Sequence, residues 1–84
     1  MPESTHADVQ RGLAEIVHLV TGRPTEEVQP DRLFVDDLRV DSLAMVEILE
    51  GTARRFDVQI DDEAAKDFVR VRDLVDHVVA RTAG

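Results

Sequence analysis

The 84-residue sequence contains no cysteine, tryptophan or tyrosine. The absence of cysteine excludes disulfide bonds and thiolate metal sites, so any thiol chemistry requires an added group. Because Phe34, Phe56 and Phe68 are the only aromatic residues, the core must consist mainly of Leu, Ile, Val and Ala. We expect a single small domain over residues 1–84, without room for a deep enzyme pocket of its own.

Long hydrophobic runs are also absent, and acidic residues outnumber basic ones by 18 to 10. No segment is long and apolar enough to span a membrane, and residues 1–4 do not resemble a signal peptide, so a cytoplasmic protein is expected. The net charge of −8 argues against nucleic acids and anionic membranes as partners. Residues 36–63 are especially acidic, which fits either a solvated surface or a docking surface for basic partners.

The spacing of apolar residues predicts an all-α domain with four helical segments. The first extends from about residue 5 to residue 20, with Thr5 and Asp8 as a capping box, and ends at Gly22. A short turn is expected at 24–28, within a long connection. This connection needs apolar contacts with the core to stay ordered, and its candidates are Leu33, Phe34 and Leu38.

The second helix is predicted to begin at Asp41 or Ser42 and to end near Phe56. Gly51 inside it indicates a close approach by another segment or a bend. Its predicted apolar stripe consists of Val46, Leu49, Ala53 and Phe56. An extended link with Val58 and Ile60 pointing inward, a short helix over 61–66 and a last helix from Asp73 complete the chain. The predicted buried face of the last helix consists of Val71, Leu74, Val75, Val78 and Val79.

Ser42 has no features of a catalytic nucleophile. The G-x-S-x-G motif is absent, and no base is evident near the serine. The histidine positions are typical of surface or boundary residues in the terminal helices: His6, His18 and His77. The acids in residues 36–41 do not form a calcium loop, because apolar residues interrupt the alternation of ligands and no glycine is present, and no metal site is predicted.

The position of Ser42 leaves two interpretations open. Its hydroxyl could cap the second helix, although Asp41 could do this equally well. Alternatively, another enzyme could attach a phosphate ester to Ser42, where free backbone N–H groups and the positive end of the helix dipole favour an anion.

The run FVDDLRVDSLAMVE at residues 34–47 resembles the signature of acyl carrier proteins, as does FDVQIDD at residues 56–62. The resemblance extends to nearly the whole chain through its length, helical pattern, long first loop and acidity. It implies a four-helix bundle of the acyl-carrier type, with three longer helices and one short helix.

The resemblance further implies that Ser42, flanked by Asp41 and Leu43, carries a 4′-phosphopantetheine arm whose thiol holds acyl groups as thioesters. A phosphopantetheinyl transferase using Mg²⁺ would donate the arm from coenzyme A. The carrier would be a monomer without turnover of its own, and it would serve ketosynthase, acyltransferase and other biosynthetic enzymes. The implied docking residues are Asp37, Glu47, Glu50, Arg54 and Arg55.

Several residues depart from the family pattern at the surface that partner enzymes contact. Arg39 stands where Gly or an acid is usual, Glu50 where an apolar residue is frequent, and Arg54 and Arg55 where fatty-acid carriers tend to have two glutamates. The two arginines either pair with Glu50 and Asp57 or discourage contact with fatty-acid synthase enzymes.

These departures favour a carrier in polyketide or related specialised biosynthesis. The alternatives are a fatty-acid synthase carrier, a peptidyl or aminoacyl carrier, and an unmodified acidic interaction module. An esterase is the least favoured of all.

Overall fold

The computed structural model describes residues 5–82 and confirms the predicted all-α class. It contains helices α1 (His6–Thr21), α2 (Ser42–Phe56) and α3 (Val71–Thr82), with a 3-10 turn at Thr25–Glu27 and a short 3-10 helix at Asp62–Asp67. No helix within this described part is long and apolar enough to cross a bilayer. The prediction for residues 1–4 lies outside the described residues.

The predicted capping box starts α1. The Thr5 hydroxyl accepts a hydrogen bond from the Asp8 backbone N–H at 3.2 Å, and the Asp8 carboxylate accepts one from the Thr5 backbone N–H at 3.3 Å. The helix ends at Gly22, which has a left-handed φ of 80° and whose N–H donates to the His18 carbonyl. Both ends are therefore set by local sequence.

The buried face of α2 is rotated relative to the predicted stripe. Ile48, Leu49 and Thr52 are buried, whereas Val46 is 45% exposed. The Thr52 hydroxyl donates to the Ile48 carbonyl at 2.7 Å, which satisfies a polar group within the core. A Cβ on Gly51 would lie 3.2 Å from Cγ2 of Ile16, so this glycine permits the close approach of α1.

The last helix begins at Val71, two residues before the predicted start. The Asp73 carboxylate accepts hydrogen bonds from the backbone N–H groups of Val69 and Arg70 at 3.0 and 2.8 Å. Asp73 thus satisfies free amides from within the first turn rather than from the preceding position. The predicted buried residues are confirmed for Val71, Leu74, Val75 and Val78, while Val79 is half-buried.

The loop between α1 and α2 is fixed against the segment that precedes α3. The Phe34 N–H donates to the Val69 carbonyl, and the Val71 N–H donates to the Arg32 carbonyl, each at 3.0 Å. Phe34 and Leu38 are fully buried as predicted, and Leu33 is half-buried. This pairing holds the middle of the loop beside the segment that follows the short 3-10 helix.

Candidate functional site

Ser42 is the first residue of α2, and its side chain is exposed. Asp41 precedes it in an extended conformation, and its Oδ1 accepts a hydrogen bond from the Ala44 N–H at 2.8 Å. Of the two candidate N-caps, the structure therefore uses Asp41. The Ser42 hydroxyl is not required for capping.

The first turn of α2 leaves two backbone donors next to Ser42. The Ala44 and Met45 N–H groups both bond to Asp41, through its side chain and its carbonyl. The N–H groups of Ser42 and Leu43 have no hydrogen-bond partner within residues 5–82. These donors and the positive end of the helix dipole would stabilise a phosphate attached to Ser42 Oγ.

Ser42 also lines a cleft of about 390 Å³. Most of its lining is apolar and comes from the loop, α2, the short 3-10 helix and the segment before α3: Leu33, Val35, Val40, Met45, Ala65, Phe68 and Val69. Val35 and Val69 are 65% and 55% exposed, although both are aliphatic. The cleft thus offers apolar surface to an elongated group attached at Ser42.

Sequence reasoning did not identify this cleft. Met45 and Phe68 follow the patterns of core residues. Val35 and Val69 lie close to the bridge between Leu33 and Arg70, which joins the loop to the segment before α3. The one available signal is that Val35 and Val69 fall outside the predicted buried faces.

An exposed face of α2 begins beside Ser42. Spacings of three and four residues place its members on one side of the helix: Leu43, Val46, Glu47, Glu50 and Arg54. Leu43 is 69% exposed, and the exposed acids Glu47 and Glu50 follow it about one and two turns later. The structure thus brings four of the predicted site residues onto one surface.

Arg55 lies on a different side of α2 from Arg54. Its Nη2 is 2.8 Å from Oε1 of Glu15 in α1, and its guanidinium is 6.0 Å from the centre of the Phe56 ring. Within the described side chains, neither arginine forms an ion pair with Glu50 or Asp57, so the alternative of such pairing is wrong. The actual partner of Arg55 comes from another helix, which the local sequence does not reveal.

Asp37 is engaged within the loop. Its Oδ2 accepts a hydrogen bond from the Leu33 N–H at 2.8 Å, and the Leu33 carbonyl accepts from the N–H groups of Asp37 and Leu38. The carboxylate therefore stabilises the turn that leads to Ser42. A docking role for Asp37 stays a prediction.

Arg39 adopts a left-handed backbone conformation with φ of 58°. This conformation costs a non-glycine residue about 1 kcal/mol, so glycine would be less strained at this position. The Val40 N–H that follows donates to the Phe34 carbonyl at 2.8 Å, so the surrounding loop holds Arg39 in this conformation.

Replacement of Arg39 by glycine is therefore expected to raise the free energy of unfolding by up to about 1 kcal/mol, measured by urea denaturation. The matched control is Arg32→Gly in the same loop, because Arg32 is not among the residues with positive φ. That change should lower the free energy by about 0.5–1 kcal/mol. A loss of stability on Arg39→Gly would contradict the expectation.

The histidines lie away from Ser42, as their sequence positions predict. His6 Nε2 is 3.0 Å from an Asp76 carboxylate oxygen, and His18 Nδ1 is 2.8 Å from the Arg23 carbonyl. His77 packs edge-on against Phe68, with ring centres 5.2 Å apart. All three are within the described residues, and none lines the cleft that contains Ser42.

Comparison with known proteins agrees with this geometry. The model of a family described as the phosphopantetheine attachment site matches residues 11–78. An acyl carrier protein of Acidothermus cellulolyticus is 44% identical over 75 residues, which cover 89% of each chain. The meromycolate extension acyl carrier protein of Mycolicibacterium smegmatis is 43% identical over 89% of this chain and 76% of its own length.

Among solved structures, the acyl carrier protein from Enterococcus faecalis superimposes with a TM-score of 0.75 and 26% identity, over 92% of this chain and 98% of that chain. Proteins of this kind carry a covalently bound 4′-phosphopantetheine and have no catalytic activity of their own. The exposed Ser42 hydroxyl, the free amides and the adjacent cleft suit that group. The chain therefore belongs to the phosphopantetheine-binding family of acyl carrier proteins.

Proposed function

We propose that this chain is a monomeric cytoplasmic carrier of acyl intermediates in polyketide or related specialised biosynthesis, with 4′-phosphopantetheine attached to Ser42. The observation that carries the assignment of Ser42 is its exposed hydroxyl beside two free amides at the start of α2. Ser42 is also the only serine within the matched residues 11–78. When bound, the arm supplies a thiol that holds acyl groups as thioesters.

Attachment requires little chemistry from the carrier itself. Ser42 Oγ loses its proton and forms an ester bond with the phosphorus of the phosphopantetheine unit, while the bond from that phosphorus to the nucleotide part of coenzyme A breaks. The transferase and its Mg²⁺ supply the base and the electrostatic stabilisation. The chain contributes an accessible hydroxyl and N–H donors for the phosphodiester that results.

The proposal is tested by incubating the purified protein with coenzyme A, Mg²⁺ and a broad-specificity phosphopantetheinyl transferase. The intact mass should rise by one phosphopantetheine unit. An unchanged mass, with a known carrier loaded in parallel, would support the alternative of an unmodified acidic interaction module.

The exposed face of α2 is the proposed docking surface for the transferase, the ketosynthase and the acyltransferase. Leu43 and Val46 supply apolar contact area, and Glu47 and Glu50 supply negative charge beside it. A partner with a small apolar patch surrounded by cations would complement this surface. Because the face begins next to Ser42, docking there would bring the arm to the partner's active site.

Glu47→Lys is expected to lower the loading rate by about two- to tenfold at low ionic strength, because it reverses one charge on this surface. The matched control is Glu26→Lys in the 3-10 turn after α1, which is exposed and lines a different groove. Glu15 is unsuitable as a control because it binds Arg55. Equal loading rates for the two variants would show that α2 is not the docking face.

The proposed role in polyketide or related specialised biosynthesis is supported by Arg54, which lies on the docking face beside Glu50. A cation there opposes contact with the basic surface of a fatty-acid synthase enzyme, and it favours a partner that offers an anion at this position. Arg55 has a structural partner in Glu15, so Arg54 is the cleaner probe of specificity.

Arg54→Glu is expected to raise the reaction rate with fatty-acid synthase enzymes of the same organism and to lower it with the cognate pathway enzymes, by about two- to tenfold each. Rates are compared by following acyl transfer onto the loaded carrier. The matched control is Arg81→Glu in α3, which carries the same charge change. Unchanged rates with both enzyme sets would leave Arg54 without a role in pathway choice.

A fatty-acid-type carrier is the second candidate function. It is favoured by the relatives named meromycolate extension acyl carrier protein, which are 43% and 40% identical to this chain. Under this alternative, the native chain reacts faster than Arg54→Glu with the fatty-acid enzymes.

A further inference from the structure

The cleft beside Ser42 contains two carboxylates and one cation. Asp36 and Asp41 line it together with Ser42, so a phosphodiester on Ser42 would add a third negative charge. The remaining charged residue in the lining is Lys66, which is also the only lysine of the chain. Its ammonium is therefore the natural counter-charge for an anion in this cleft.

The fold determines where Lys66 lies. It belongs to the short 3-10 helix, and its neighbours Ala65 and Phe68 line the same cleft. Phe68 is only 6% exposed, and its N–H donates to the Ala65 carbonyl at 3.2 Å, so the backbone around Lys66 is held by the core. A lysine side chain has a flexible four-carbon stem and three N–H donors, which allow it to reach towards an anion across the cleft.

We infer that Lys66 binds the phosphodiester on Ser42 and holds the proximal end of the arm towards the short 3-10 helix. This inference rests on the proposed function, because it requires the arm on Ser42. The two free amides contact the phosphodiester from α2, and the Lys66 ammonium contacts it from the other side of the cleft. The arm then leaves Leu43, Glu47 and Glu50 accessible to partners.

The test is a thermodynamic cycle on the apo and holo forms of the whole chain. Urea denaturation at low ionic strength gives the unfolding equilibrium constant of both forms for the native chain and Lys66→Gln. Lys66→Arg serves as the conservative variant, because it retains the charge. Arg72→Gln serves as a charge-matched control, because Arg72 lines a separate groove next to His6 and Asp76.

Attachment of the arm should lower the unfolding equilibrium constant of the native chain relative to its effect on Lys66→Gln, by about two- to fivefold. The arm should affect Lys66→Arg and Arg72→Gln as it affects the native chain. High salt should reduce the difference between the native chain and Lys66→Gln. A purely structural role for Lys66 would alter the apo and holo forms equally.

Equal effects of the arm in the native chain and Lys66→Gln would overturn the inference while leaving the proposed function intact. Failure of the native chain to gain mass would overturn the proposed function, and the inference with it.

Discussion

Ser42→Ala is expected to abolish loading completely while changing the free energy of unfolding by about 1 kcal/mol or less. Alanine lacks the oxygen that forms the ester bond, so no mass gain with coenzyme A and a transferase is possible at this position. The fold should persist because Asp41, not Ser42, accepts the capping hydrogen bond from Ala44. Intact mass after incubation and urea denaturation measure the two effects separately.

The chain offers a matched control for this experiment. Ser4 is the only other serine, so Ser4→Ala removes the same atom from a position in the terminal segment before α1. This variant should load at the native rate. A mass gain in Ser42→Ala, or its loss in Ser4→Ala, would disprove the assignment of Ser42.

Phe34→Ala is expected to produce the second large effect, a loss of about 3–5 kcal/mol in the free energy of unfolding. Phe34 has an exposure of 0%, and its backbone bonds both to Val69 and to Val40 in the same loop. Its ring is buried in the core, and its backbone lies where the loop meets the segment before α3. Because a small domain has about 5–15 kcal/mol of stability in total, this loss is a large part of it.

Denaturation by urea and by heat measures this effect, with an expected fall of about 12 °C or more in Tm. The neighbouring Val35 provides the control, because it is 65% exposed and its truncation should change stability by about 0.5 kcal/mol or less. If Phe34→Ala were as stable as Val35→Ala, the loop would not depend on its contact with the core.

Features that depend on neighbouring residues were predicted well. The capping box at Thr5 and the left-handed Gly22 set the ends of α1, and the positions of both follow from the residues alone. The start of α3 was predicted two residues late, because an aspartate can satisfy free amides from inside the first turn as well as from the N-cap. The sequence pattern does not distinguish these two arrangements at Asp73.

The orientation of α2 required tertiary information. Apolar residues occur on more than one side of this helix, so the pattern alone allowed a buried stripe that begins at Val46. Packing against α1 determines which face of α2 is buried. Gly51 lies close to Ile16, and Val46 therefore faces solvent. The rotation places Val46 on the exposed face that also contains Leu43.

The candidate site was only partly predictable for the same reason. The position of Asp41 and Ser42 at the start of a helix is a local property and could be predicted, whereas the attachment role of Ser42 is implied by the resemblance to acyl carrier proteins. The cleft depends on the bridge between Leu33 and Arg70, which are distant in the sequence. Lys66 lines this cleft because of the tertiary fold, and no sequence motif indicates its position there.

The most direct test of the central claim is peptide mapping of the holo protein after loading from coenzyme A. Cleavage after Arg39 and Arg54 by trypsin releases residues 40–54, which contain Ser42 and no other serine. Fragmentation of this peptide should place one phosphopantetheine unit on Ser42, and every other peptide should keep its unmodified mass. A unit found on another residue, or a peptide 40–54 without it in a protein that has gained mass, would contradict the account.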